Sequence, residues 1–262
     1  MGAHACGIPV HQRPSLDADL QQICWWHNDA VVPFDKWLCW IDYHRGILLC
    51  DMSKLPNHHP TVSYIWFPLD KLPDSGTSCW ASTSFFRAVS VVDHGRVLKF
   101  VNVTRHDGIH FAPLQPGTGF TITCHTLVVL DSGGMAWEED YTVTSGELWE
   151  ANSPDRLPRH ILMFPQVDMD RPRVAHFLSI EFGIGYVKRN KKMWVVSIDM
   201  STKTVESISL YINGDEGLET GDAEFIKIKS DETLPFIPCE FPKFLHSSRY
   251  GRNVAAALPF YL

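Results

Sequence analysis

The sequence has no apolar stretch long enough to cross a membrane. Its longest apolar runs, such as Gly46–Cys50 and Leu127–Leu130, fall far short of the ~20 residues that a spanning helix needs. The opening MGAHACGIPVHQRPS has no apolar core of a signal peptide. Gly2 begins a myristoylation-like start, but Cys6 stands where Ser or Thr is required. Seven cysteines are scattered with no C-x-x-C pair; an odd, unspaced set speaks against a disulfide framework and a zinc ribbon. These absences point to a reducing compartment, cytoplasm or nucleus, and to no membrane contact.

Excess positive charge is lacking too. With a net charge of −7, the chain has no general attraction for phosphate backbones, so no nucleic-acid partner is expected. Lys188, Arg189, Lys191 and Lys192 form one basic cluster around Asn190, best taken as a solvated hairpin tip. Helical periodicity is nearly missing. What is present are short runs rich in Val, Ile, Phe, Trp and Thr, punctuated by Gly, Asp, Asn and Pro: Val62–Phe67, Ala88–Val92, Val97–Val103, Phe120–Leu130, Val174–Phe182, Met193–Ile198 and Val205–Ile212. This pattern predicts an all-β chain.

A repeat is superposed on the strands. Gly46 opens GILLCDMS, Gly95 opens GRVLKFVNVT and Gly146 opens GELWEANS, each an apolar run closing on an Asx residue followed by Ser or Thr. The closing residues are Asp51, Asn102 and Asn152, and MWVVSIDMS adds Asp199. A unit of ~50 residues holding several strands is the size of a propeller blade. The expectation is a propeller-like repeat array of about four to five antiparallel blades, incomplete if the ring does not close. It would fill residues 37–245, between a lead-in over 1–36 and a tail over 246–262, with Trp40, Leu48, Trp149 and Trp194 in its core.

The run WIDYHRGILLCDM followed by SYIWFPL, then RAVSVVDHGRVLKFVNV, the LW of GELW and WVVSIDMSTKTV resemble the domain-of-unknown-function 1618 family, which is expanded in grasses. The resemblance covers roughly residues 37 to 245. It implies a propeller-like relative of the domains associated with F-box proteins, and carries no catalytic activity with it. Family members commonly have a longer N-terminal part, so the resemblance also raises a truncated paralogue without retained function.

Motifs with chemical promise are each better explained as structure. Asp131-Ser132-Gly133-Gly134 copies a serine-protease nucleophile loop but lacks the matching histidine segment. Asp74-Ser75-Gly76-Thr77 pairs with it as in an aspartic protease, yet Leu72-Pro73 is a poor lead-in strand. Thirteen histidines follow no metal-ligand spacing. Gly117-Thr118-Gly119 and Gly183-Ile184-Gly185 lack the helix and Lys of a phosphate loop. Cys39, Cys50 and Cys124 sit inside apolar strands and are expected to be small buried residues.

The expected function is therefore a protein-interaction module, adaptor or substrate-receptor-like, with no cofactor and no metal. The alternative is a hydrolase using Asp131 or Asp74 with a nearby histidine. Binding would use loops gathered on one face, Lys54–Thr61, Arg105–Gly119 and Ser153–Arg173. The candidate contacts are Tyr43, His44 and Arg45 at a hairpin tip, His58 and His59, and Arg105 with His106.

Overall fold

The computed structural model describes residues 26–54, 62–69, 80–109, 112–131, 134–152, 157, 159–181 and 192–212. Among the described residues twelve strands form three four-stranded antiparallel sheets, each a meander in which every strand pairs with the next. The first sheet holds β1 (Ala30–Phe34), β2 (Trp37–Asp42), β3 (Gly46–Asp51) and β4 (Val62–Trp66). The second holds β5 (Arg87–Val92), β6 (Val97–Arg105), β7 (Phe120–Val129) and β8 (Met135–Thr144). The third holds β9 (Leu162–Val167), β10 (Val174–Ile180), β11 (Met193–Asp199) and β12 (Thr204–Ile212). The helix α1 (Ser145–Ala151) follows β8.

The sheets stack in chain order, and burial explains their composition. The first presents Cys39, Ile41, Ile47 and Leu49, all fully buried, to Leu98 and Phe100 of the second. Phe67 stacks on Phe100 at 4.0 Å between ring centroids, and Trp137 Nε1 donates to the Trp66 carbonyl at 2.8 Å. On the other side of β6, Val101 and Val103 join the core shared with the third sheet. A sheet covered on both faces has no need of polar alternation, so β6 is almost continuously buried from Leu98 to Val103.

Several expectations change at this level. The first sheet begins at Ala30, inside the 1–36 lead-in. GELWEANS is not a strand: Gly146 and Trp149 belong to α1. Thr144 and Glu147 form its capping box, each side chain meeting the other's backbone N–H. Trp149 then lies edge-on to Phe120 at 6.0 Å, with the Arg159 guanidinium over its ring at 5.4 Å. Trp40, Leu48, Trp149 and Trp194 are half-buried rather than central. The stretch Ser153–Arg173 is not one loop, because β9 lies within it.

Only two of the four closing Asx residues are equivalent. Asp51 ends β3 and Asp199 ends β11, each the third strand of its sheet. Asn102 lies inside β6, its Nδ2 donating to Thr104 Oγ1 at 2.8 Å, and Asn152 caps the C-terminus of α1. Gly95 sits in the β5–β6 turn at φ +88°, whereas Gly46 opens β3 against β4. A β-carbon on Gly46 would overlap the Ile65 carbonyl oxygen. Gly46→Ala is therefore expected to push two strands apart and cost about 1–3 kcal/mol, read as a lower urea midpoint with an unchanged slope.

Candidate functional site

The end of the stack where β1 turns into β2 carries a repeated clamp. In the first sheet Asp51 Oδ1 accepts from Ser53 N at 3.0 Å and Ser53 Oγ at 2.5 Å, and Met52 N donates to the Lys36 carbonyl at 2.9 Å. In the third, Asp199 Oδ1 accepts from Ser201 N at 2.9 Å and Ser201 Oγ at 2.5 Å, and Met200 N donates to the Arg173 carbonyl at 2.9 Å. The Oδ2 of each faces a cation of the first hairpin turn, Lys36 at 3.6 Å and Arg173 at 3.0 Å. The side chain thus locks the exit of the third strand to the first turn.

Between these clamps a cleft of ≈ 210 Å³ opens where the β5–β6 and β9–β10 turns meet. Val92, Met169 and Pro172 give it an apolar lining, and Asp93, His94 and Asp170 contribute its polar groups. Asp93 and His94 hold φ of +50° and +54°, a conformation such residues only tolerate. The turn is fixed from behind by Asp35 N, which donates to the Gly95 carbonyl at 2.8 Å.

A serine–histidine–aspartate row braces the other wall. His176 Nδ1 lies 2.9 Å from Ser197 Oγ, and Nε2 lies 3.2 Å from Asp168 Oδ2. With a carboxylate at Nε2, that nitrogen carries the proton and Nδ1 accepts the serine hydroxyl. Burial alone would raise the Asp168 carboxyl, but the N–H groups of Asp170 and Arg171 and the Arg171 guanidinium hold it below the usual range. Ser197 is only 6% exposed, and β11 lies between β10 and β12, so its backbone donors belong to the ladders. A serine nucleophile needs access and donors free to meet an oxyanion. The row has the character of a cross-strand clamp.

The residues singled out from sequence fall elsewhere. Tyr43, His44 and Arg45 occupy the opposite end, turned into the protein. Tyr43 N donates to Asp29 Oδ2 at 2.7 Å, its carbonyl accepts from Arg87 Nη1 at 2.5 Å, and burial pushes its phenol up to about 12. The His44 ring meets Thr83 Oγ1 at 2.8 Å, and Arg45 Nη1 donates to Asp42 at 2.8 Å. Arg105 forms a two-pronged pair with Asp107 at 2.8 and 2.7 Å and reaches the Ala112 carbonyl at 2.7 Å. That pairing holds the Asp107 carboxyl well below the usual range. His106 is exposed, with its Nε2 at 2.8 Å from Thr121 Oγ1.

His58, His59, Asp74 and, of the basic cluster, Lys188, Arg189 and Lys191 lie outside the described residues, while Lys192 is exposed and its carbonyl accepts from Glu181 N at 3.0 Å. Asp131 is exposed in the β7–β8 turn, and no hydrogen bond or ion pair joins it to a histidine among the described residues. Cys39, Cys50 and Cys124 are buried, and burial raises the Cys39 and Cys124 thiols to about 12, far from a reactive thiolate. Among the described residues no three His, Cys, Asp or Glu side chains are placed to hold a metal, and no helix is long and apolar enough to cross a membrane. Lys54, where the stretch Lys54–Thr61 begins, lies at the clamp end, and Arg105, where Arg105–Gly119 begins, lies at the opposite one; residues 55–61 lie outside the described residues.

Residues 40–176, just over half of the chain, match the model of a family described as protein of unknown function (DUF1618). No curated protein and no solved structure gives a significant match.

Proposed function

Because this chain belongs to the DUF1618 family, whose description assigns no activity, we propose its role from geometry: a protein-interaction module on a propeller-like scaffold, binding through the clamp end of its sheets. The scaffold reading is supported by the uniform four-stranded meander and by the sheet contacts. β1 approaches β5, and β5 approaches β9, so the first strands line one side of the stack like the inner strands of blades. The observation that carries the binding site is the cleft. It lies where two first turns converge, it is lined by apolar and charged groups together, and clamps hold its rims. An adaptor-like role in the cytoplasm or nucleus accords with a rigid frame presenting a small site, and without catalysis.

The test compares the two ends. Cross-linked partners would be captured from cells with the wild type, with Asp93→Arg/His94→Ala at the cleft, and with His106→Ala at the other end. Loss of the same partners from the cleft variant alone is the expected result. Loss from the His106 variant alone, or identical sets from all three, overturns the assignment.

A further inference from the structure

We propose that the far face of the third sheet is a docking surface for this chain's own residues 221–245. Residues 174–180 of β10 pair with 193–199 of β11 without a shift, so Val174, Leu178 and Ile180 share one face and Ala175, Phe177 and Ser179 the other. All six are at most 1% exposed. An antiparallel sheet with one solvated side alternates buried and polar positions; this one is covered on both sides. The Phe177 face turns to the second sheet. Trp194, beside Ser179, meets the His160 ring at 6.1 Å, and the neighbouring Arg159 lies over Trp149, which stands against Phe120 of β7. The Leu178 face points away. Met163, Val195 and Met193 extend it across three strands, and Met163 and Met193 are 0% and 2% exposed. Among the described residues the main contacts of this sheet run to β5, β6, the 3₁₀ turn Trp80–Phe85 and α1, all of which belong to the second sheet or adjoin it.

Three features favour residues 221–245 as the occupant. The burial is that of a single chain, so the cover is part of the chain itself and not a second copy. The second sheet packs on the first and the third on the second, in chain order, so the chain that follows β12 continues onto the side still free. β12 ends at Ile212, which pairs with Met193 at the rim of that face. Beyond it, Ile226 and Ile228 alternate with Lys227 and Lys229, the pattern of a strand with one buried side. Leu234, Phe236, Ile237 and Phe241 follow within the same stretch and supply further apolar side chains.

The test replaces methionine by its diazirine analogue in the full chain, which puts a photo-reactive carbon at Met163 and Met193. Cross-links from these two residues are expected to fall in residues 221–245 of the same chain, at monomer mass. Ile226→Ser/Ile228→Ser is expected to lose the links and lower the urea midpoint, whereas Lys227→Ser/Lys229→Ser keeps both at the wild-type level. This docking is independent of the cleft between the first turns, so Asp93→Arg/His94→Ala leaves the links unchanged. Absence of links into 221–245 overturns the proposal, whether the two methionines mark other parts of the chain, a second copy at dimer mass, or nothing. Links that survive the two isoleucine changes overturn it as well.

Discussion

Asp42→Ala is expected to cost about 3–5 kcal/mol of folding stability, the range for removing one partner of a buried ion pair. The carboxylate has no solvent exposure. Its Oδ1 accepts from His44 N at 2.9 Å, and its Oδ2 from His27 N at 3.0 Å and Arg45 Nη1 at 2.8 Å. It also supplies counter-charge to Arg87, whose guanidinium burial lowers to about 10 and Asp42 partly restores. Alanine would leave two backbone donors unmet and two inward-facing guanidinium groups without this carboxylate. Asp42→Asn keeps an acceptor and loses the charge, so a smaller loss of roughly 1–3 kcal/mol is expected. Urea unfolding of both variants measures the ladder. Equal stability of wild type and Asp42→Ala would mean that the network is not what joins the first two sheets at this end.

Nine of the twelve described strands were legible, seven as apolar runs flanked by turn residues and β2 with β3 as the hairpin whose tip is Tyr43–Arg45, but β8 and β9 hid for identifiable reasons. β8 is the outer strand of its sheet and carries Glu138, Glu139 and Asp140, the charge that edge strands use against pairing, so it lacks the apolar signature. β9 contains Phe164 at φ +51° followed by Pro165, opposite a register shift in β10, and a bulge of this kind breaks the alternation that marks a strand. Helix α1 announced itself only through Thr144 and Glu147, a capping pair overlooked beside the glycine spacing. The ~50-residue spacing mixed two true equivalents, Asp51 and Asp199, with two coincidences. Asx followed by Ser or Thr suits any strand exit, strand middle or helix cap, and the first strands begin at Ala30, Arg87 and Leu162, at unequal steps.

The candidate site was less legible still, for the same physical cause. Its members meet through cross-strand register and through contact between turns of different sheets, and neither leaves a local motif. Asp168, His176 and Ser197 are spread over three segments, and Asp93 faces Asp170 only because two sheets stack. Tyr43, His44 and Arg45 attracted notice as a polar cluster at a hairpin tip. That tip is folded over by Asp29, Thr83 and Arg87, and its polarity serves the joint between sheets.

Stability is expected to fall between about pH 7 and about pH 5, driven by His125, His160 and His176. Burial lowers the pKa of all three, against the opposing pull of Glu139 and Asp140, of Glu181, and of Asp168 respectively. A histidine with a depressed folded-state pKa favours the neutral fold. Its contribution is complete above the unfolded value of about 6.5 and is lost as pH falls toward the folded one. In that window the unfolded chain binds the extra proton, and each histidine adds a slope of up to about 1.4 kcal/mol per pH unit. His125 and His160 are the sharpest cases: the Nδ1 of each is buried with no hydrogen-bond partner among the described residues, so charging either ring strands a donor. Asp168 and Asp199, both held below the usual carboxylate range, extend the loss below about pH 4, since their stabilisation is present above the unfolded value and disappears as they protonate. Urea midpoints from about pH 7.5 to about pH 5 measure the curve, and His125→Gln is expected to flatten it. A midpoint that does not move across that range would show that these rings accept a proton in place, without loosening the sheets around them.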